Sequence, residues 1–165
     1  MNAVSNTTPL RYLIAIDQEH LLGQLFEKVF VPVAVHEELT DAGAPGNVRR
    51  RVLSLPSWLE VRTVTEAPAP TFPVTLHRGE REAILLAEAL RADVLLIDEH
   101  VGRAIARGRN LPVSGTLGIL ERADTMRLLS DFPLVLKQLS ASGFYISEAL
   151  EQQLLQRHLA RRNAK

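Results

Sequence analysis

Two kinds of apolar run alternate along the chain, and they predict different elements. Short β-branched or unbroken apolar runs are typical of buried strands, of the kind that a parallel sheet covered on both faces contains. Stretches in which apolar residues recur every three or four positions are typical of amphipathic helices. The predicted strands are residues 3–5, 29–31, 58–64, 93–97 and 113.

The helix predictions rest on apolar spacing and on capping residues. Thr8 followed by Pro9 is typical of an N-cap and a first helical position. Residues 65–73 contain three prolines and predict a loop. Because strands and helices alternate, we expect a parallel sheet in one domain, residues 1–165, with a helical extension from about residue 130 to 165. The further helices are predicted at 19–26, from 32 onward, 48–55, 79–91, 101–107, 116–129, 132–140 and 147–161.

Composition and charge narrow the function classes. The 19 basic residues balance the 19 acidic ones, which argues against bulk, non-specific nucleic-acid binding. There is no cysteine, so disulfides and thiolate metal sites are excluded. The N-terminus lacks the basic and apolar regions of a signal peptide, and the apolar runs are too short to span a bilayer. We therefore expect a cytoplasmic protein.

Polar and acidic side chains follow the predicted strands, where open parallel sheets bind their ligands. Asn6 follows the first strand, and Asp98 and Glu99 follow strand 93–97 directly. Glu38 lies three residues after Val35 and shares the inner face of its helix. Clustered carboxylates repel one another unless a cation lies between them, and Mg²⁺ prefers oxygen ligands. The pattern favours metal-assisted phosphodiester hydrolysis.

Each of these residues also has a purely structural interpretation. Asp98 could cap a helix, and Glu80 lies in the first turn of its helix, where the macrodipole favours a carboxylate. Glu82 and Glu99 could be surface charges. On helix 79–91, Glu80 shares a face with Ala83 and Ile84, whereas Glu82 lies with the leucines that follow.

Five segments together resemble the PIN-domain proteins, and in particular an uncharacterised branch grouped with VapC-type toxins. The resemblance covers about the first 130 residues, and the order and spacing of the segments make it specific. The segments are VSNTTPL, VPVAVHEEL, GEREAILLAEAL, VLLIDEHVGRAIA and GTLGIL.

The resemblance implies a three-layer α/β/α sandwich with a central parallel sheet and a ribonuclease that depends on Mg²⁺ or Mn²⁺. It implies Glu38, Glu80 and Asp98 as catalytic acids, with Glu82 and Glu99 as rivals for the last two positions. Thr7 and Thr8 match positions that support the site. The full set of candidate metal ligands is Asn6, Glu38, Glu80, Glu82, Asp98 and Glu99.

The sequence departs from the family at Asn6, where the family usually has aspartate. An amide oxygen can coordinate a hard cation but brings no charge, which weakens the expected metal affinity. Two functions stay open: an endoribonuclease that is the toxin of a toxin–antitoxin pair, and an inactive module that binds RNA or an antitoxin. A phosphatase or nucleotide-binding protein is disfavoured, because GxxxxGK[ST] and GxGxxG motifs are absent.

The expected partners are RNA, a cognate antitoxin and a second copy of the chain. Arg103, Arg107, Arg157 and Arg161 are the candidate RNA-binding residues, although a basic tail is more often a solvated helix face. Apolar positions of the last two helices could form a dimer interface or pack on their own domain, and the sequence favours neither. These positions are Phe132, Leu134, Val135, Leu136, Leu139, Leu150, Leu154, Leu155 and Leu159.

Overall fold

The computed structural model describes residues 1–65 and 72–164, and its centre is a five-stranded parallel sheet. The strand order is β3-β2-β1-β4-β5, so the first strand of the chain is the middle strand of the sheet. Each crossover between parallel strands carries at least one helix, as parallel pairing requires. The strands are β1 Asn2–Ser5, β2 Lys28–Pro32, β3 Leu59–Arg62, β4 Val94–Leu96 and β5 Val113–Ser114.

Nine helices cover the sheet within the described ranges. None of these helices is long and apolar enough to cross a membrane. Their bounds are α1 Thr7–Ala15, α2 His20–Leu25, α3 Val33–Thr40, α4 Gly46–Leu53, α5 Arg78–Leu90, α6 His100–Gly108, α7 Thr116–Thr125, α8 Phe132–Ala141 and α9 Glu148–Asn163.

Most helix boundaries differ from the sequence prediction by only one or two residues, and two of the differences have a structural cause. Asn6, not Thr8, is the N-cap of α1, because the chain turns into the helix directly after β1. Helix α7 ends at Thr125 rather than near residue 129, and Arg127 follows it with a positive φ of 58°. Of the loop predicted at 65–73, residues 66–71 lie outside the described residues.

Alternating side chains of the strands build a separate core on each face of the sheet. Ala3, Val29 and Val31 join one apolar cluster with the inner faces of α1, α2, α4, α7 and α8. Val4 and Phe30 point the other way and join a second cluster with α5 and α6. The sheet is therefore the middle layer of an α/β/α sandwich, and the predicted fold class is confirmed.

The last two helices are packed into the first of these clusters. Phe132, Leu136, Leu139 and Leu154 are essentially buried there, and Val135 is nearly so. Most of the apolar surface that the sequence offered for a dimer interface thus covers the chain's own core. The large apolar side chains of that set that stay exposed are Leu134 and Leu159.

Strand register brings the carboxyl ends of β1 and β4 side by side. Ser5 pairs with Leu96, and the Asn6 N–H donates to the Leu96 carbonyl over 2.9 Å. The residues that follow these two strands therefore lie at the same edge of the sheet, in its middle, where a ligand-binding crevice is expected.

Candidate active site

A cleft of about 430 Å³ opens at this edge between the ends of β1 and β4 and the start of α5. It brings together six of the residues that the sequence singled out, and it leaves Glu82 and Asp98 outside its lining. His77 and Arg78 also line it. The six are Asn6, Thr7, Thr8, Glu38, Glu80 and Glu99.

The start of α1 fixes two of the carboxylates. The Asn6 amide Nδ2 donates to Glu99 Oε2 over 3.0 Å, and the Thr8 hydroxyl donates to the other oxygen of the same carboxylate. The Thr7 hydroxyl donates to Glu38 Oε2. Asn6 is itself buried, so its side chain is held as part of the wall and orients Glu99.

Glu80 is the most buried carboxylate of the cleft. Its side chain accepts a hydrogen bond of 3.3 Å from the His77 N–H at the start of α5. Burial raises the pKa of Glu80, and repulsion from Glu99 and then from Glu38 adds to the rise, while the His77 hydrogen bond opposes it. The cleft thus gathers three carboxylates, and Glu80 is repelled by the other two.

Glu82 faces a different neighbour, although it lies only two residues further along α5. One of its oxygens accepts the Ala34 N–H at the start of α3 over 3.1 Å, and the other pairs with Arg78 Nε over 2.9 Å. A turn of about 200° separates positions two apart on a helix, which accounts for the difference from Glu80. Arg78 also pairs with Glu37, so its charge is shared between two carboxylates.

Asp98 is bound to the first turn of α7. Its Oδ1 accepts the Thr116 N–H over 2.8 Å, and its Oδ2 accepts the Thr116 hydroxyl over 2.6 Å. Burial raises the pKa of Asp98, and these two hydrogen bonds lower it in part. The helix that Asp98 caps is not the one that follows it in sequence, since Glu99 is the N-cap residue of α6.

Gly115 leaves the space in which Asp98 reaches α7. A Cβ at this position would lie 2.5 Å from Asp98 Oδ1 and 2.9 Å from Arg103 Nη1. We expect Gly115→Ala to lower the free energy of unfolding by about 1–3 kcal/mol, because the carboxylate must leave its hydrogen bonds to Thr116. Urea denaturation measures this loss.

The matched control for this substitution is Gly108→Ala at the end of α6. A Cβ there meets no atom within 4 Å, and alanine is the better helix former. Gly108→Ala should leave the stability unchanged or raise it slightly. A loss for Gly115→Ala no larger than that of the control would contradict the packing described for Asp98.

The donor set of the cleft fits a hydrated hard cation. Among residues 1–65 and 72–164, no three acidic or histidine side chains form a ready-made metal cluster. Two carboxylates, Glu80 and Glu99, repel each other across the cleft. Mg²⁺ is commonly held by one or two carboxylates with several waters, so this pair suffices as a set of protein ligands.

The four candidate RNA-binding arginines have different surroundings. Arg103 donates to the Ile97 carbonyl over 3.0 Å, and Arg157 forms two hydrogen bonds to Glu121, at 2.7 and 3.1 Å. Arg161 belongs to an ion-pair network that joins α9 to α7 and pairs with Asp124 over 2.7 Å. Arg107 is exposed near the end of α6.

Sequence reasoning missed the two residues that close the cleft at the start of α5. The contact of Arg78 with Glu82 could have been predicted, because Arg78 lies four residues before Glu82 on a predicted helix, which is the spacing of an intrahelical ion pair. His77 is the N-cap of α5, and its signal in the sequence was Glu80 three residues later, whose carboxylate accepts the His77 N–H as in a capping box.

The fold and this cleft define an α/β/α protein with an acidic site at the carboxyl edge of its parallel sheet. The family model of the PIN domain matches residues 2–159, so the chain belongs to the PIN-domain family. This match extends beyond residue 130, where the resemblance recognised in the sequence ended, and it includes α8 and most of α9. Proteins of this family are generally nucleases and generally use divalent metal ions.

A solved structure supports the same fold. The chain is similar to a PilT N-terminus domain protein from the hyperthermophilic archaeon Sulfolobus solfataricus P2. The two share 14% sequence identity with a TM-score of 0.50, and the similarity covers 90% of this chain and 98% of that one. Comparison with curated proteins gave no significant match.

Proposed function

We propose that the protein is a metal-dependent endoribonuclease of the VapC type, the toxin of a type II toxin–antitoxin pair. The observation that carries the proposal is the pair of carboxylates, Glu80 and Glu99, that repel each other in an open cleft at the carboxyl edge of the sheet. A cation between them removes that repulsion, and an RNA phosphate supplies its remaining negative ligands.

Glu80 and Glu99 would hold the Mg²⁺ or Mn²⁺ ion, and the carboxylate of Glu38 lies in the same cleft, close to Gly79 at the start of α5. The bound ion would polarise a phosphoryl oxygen and make water a better nucleophile. Asn6 and Thr8 orient the Glu99 carboxylate through their hydrogen bonds, and Thr7 orients Glu38 in the same way. Asp98 keeps the end of β4 attached to α7 and so positions the backbone from which Glu99 extends.

The competing function is a PIN domain that binds RNA or an antitoxin without cutting RNA. Asn6 favours it, because the amide contributes no negative charge where the family usually has aspartate. This module should bind RNA with an affinity that falls steeply with salt, and it should not cut RNA in the presence of any divalent ion.

Cleavage of a labelled single-stranded RNA of mixed sequence by the purified protein, in Mg²⁺, Mn²⁺ or EDTA, separates the two functions. Metal-dependent cleavage that is lost in Glu99→Gln supports the nuclease. RNA binding without cleavage in any metal supports the binding module. Cleavage of DNA but not of RNA would contradict both.

Asn6→Asp tests the role of the amide directly. In EDTA we expect a lower Tm, because the substitution replaces the hydrogen bond to Glu99 by a repulsion between two carboxylates. In Mn²⁺ we expect a larger rise of Tm than in the wild type, since a third carboxylate strengthens cation binding. Thermal unfolding with and without Mn²⁺ measures both effects, and an equal Mn²⁺-induced rise in the two proteins would contradict this role of Asn6.

The proposal includes an antitoxin and a homodimer as partners, both implied by the family resemblance. On the last two helices the exposed large apolar side chains are Leu134 and Leu159, so an interface formed by these helices would have to use polar surface as well. Sedimentation of the purified chain, alone and with the product of the neighbouring gene, tests both partners.

A further inference from the structure

We propose that a second cleft, next to the acidic one, binds a nucleotide of the RNA strand that flanks the bond to be cut. The proposal rests on the nuclease function proposed above. This second cleft measures about 430 Å³ and lies beyond the carboxyl end of β5, between α7, α9 and the loop that joins α8 to α9. Asp98, Arg103, Gly115, Tyr145 and Arg157 are among its lining residues.

Two consecutive residues connect the two clefts. Glu99 lines the acidic cleft, and Asp98 lines the second one. Both follow β4, and their side chains leave the chain on opposite sides, as successive residues in extended backbone do. A single strand whose phosphate lies against Glu80 and Glu99 therefore has a neighbouring nucleotide within reach of the second cleft.

Tyr145 at the rim is placed to stack on a base. Its side chain is 85% exposed, an unusual position for a tyrosine, while the preceding Phe144 packs edge-on against Tyr12 with 5.1 Å between ring centroids. The anchored Phe144 holds the loop, and the loop presents the Tyr145 ring to solvent. Aromatic rings of this kind stack on bases of single-stranded nucleic acids with little dependence on sequence.

Two arginines in the same cleft are positioned to contact phosphate. A guanidinium has five N–H donors. Arg103 uses one of them on the Ile97 carbonyl, and Arg157 uses two on Glu121, so each is oriented and keeps further donors. The acids that share the cleft already have partners, since Asp98 accepts two hydrogen bonds from Thr116 and Glu121 pairs with Arg157.

The first test measures binding of a short fluorescent single-stranded RNA by anisotropy, in Mg²⁺ and in EDTA, with the RNA checked to be intact after each titration. Tyr145→Ala should raise the Kd about tenfold, whereas Tyr145→Phe, which keeps the ring, should stay within about twofold of the wild type. Leu134→Ala removes another exposed apolar side chain, from α8, and should have no effect. A Kd for Tyr145→Ala equal to that of Leu134→Ala would overturn the proposal.

A second test observes the base at the ring itself. In Tyr145→Trp the fluorescence of the new tryptophan should be quenched when RNA binds. This quenching should exceed any change in the fluorescence of Trp58 that RNA causes in the wild type. Absence of added quenching at saturating RNA would overturn the stacking contact. If RNA binds in a way that depends on Tyr145 but is not cleaved, the proposed nuclease function is refuted and the binding site in the second cleft is not. If Tyr145→Ala changes neither cleavage nor binding, the binding site in the second cleft is refuted and the nuclease function is not.

Discussion

Replacing Glu80 with glutamine should slow metal-dependent RNA cleavage by about 100-fold, because a Lewis-acid cation contributes several kcal/mol to the transition state and each 1.36 kcal/mol is a factor of ten. The same substitution should raise the Tm in EDTA. Glutamine keeps an oxygen for the His77 N–H and removes a buried charge that Glu99 and Glu38 repel. Single-turnover cleavage and thermal unfolding measure the two effects.

Glu82→Gln is the matched control for this substitution. It makes the same chemical change on the same helix, but Glu82 faces Ala34 and Arg78 rather than the cleft. Its cleavage rate should stay within a few-fold of the wild type, and its Tm in EDTA should not rise. Similar losses of activity in both variants, or a loss confined to Glu82→Gln, would contradict the assignment of Glu80 as the metal ligand.

The largest effect on stability is expected from Phe132→Ala, at about 3–5 kcal/mol, the range for truncating a buried aromatic residue. Phe132 is fully buried at the start of α8. Its ring stacks on the ring of His158 from α9, with 5.3 Å between centroids, and lies under the Arg161 guanidinium. The truncation removes contacts to both final helices at once, and urea denaturation of the full chain measures the loss.

Leu134→Ala serves as the control for Phe132→Ala on the same helix. Its side chain is 48% exposed, so truncation should cost well under about 1 kcal/mol. If the residues after 130 were a loosely attached extension, Phe132→Ala would cost as little as Leu134→Ala, or the chain would unfold in two separate steps. A single transition shifted to lower urea would agree with the packing of α8 and α9 in the main core.

The strands and helices that carry the site could be predicted because their patterns are local. The apolar run before Asp98 and the periodic stretch after Gly79 each define an element by themselves. The order of the strands could be expected only from the family resemblance. In the structure the first strand is central, and nothing in residues 2–5 alone indicates a middle position.

The sequence was less informative about which acid of each neighbouring pair, Glu80 or Glu82 and Asp98 or Glu99, lines the cleft. The sequence left Glu80 and Glu82 open, because apolar residues follow both of them on the helix, Ala83 and Ile84 on the face of Glu80 and Leu86 on that of Glu82. It left Asp98 and Glu99 open as well. What distinguishes them is Thr116, eighteen positions further on, whose backbone and hydroxyl bind Asp98, together with Thr8, which binds Glu99.

The second cleft could not be predicted from the sequence either, because contacts between distant parts of the chain bring its lining residues together. Tyr145 reaches it only because the loop between α8 and α9 is anchored on Tyr12 of α1, a contact between residues far apart in the chain. Arg157 and Arg161 are four residues apart on one helix and both pair with Glu121, yet Arg161 also pairs with Asp124 while Arg157 lines the second cleft. The spacing of the two arginines in the sequence does not indicate which of them lines the cleft.

The central position of β1 has a consequence for the time at which the protein gains its activity during synthesis. When the ribosome has released β1, β2 and β3 with the helices between them, these strands can already pair, but the edge of β1 that will receive β4 is still bare. Glu99 emerges only after β4, so a nascent chain that is shorter than this has no complete acidic cleft. A nuclease built in this order should not cut the messenger RNA that encodes it until more than half of its chain has been made. Until then the unpaired edge of β1 is where a chaperone or a partner strand would bind first.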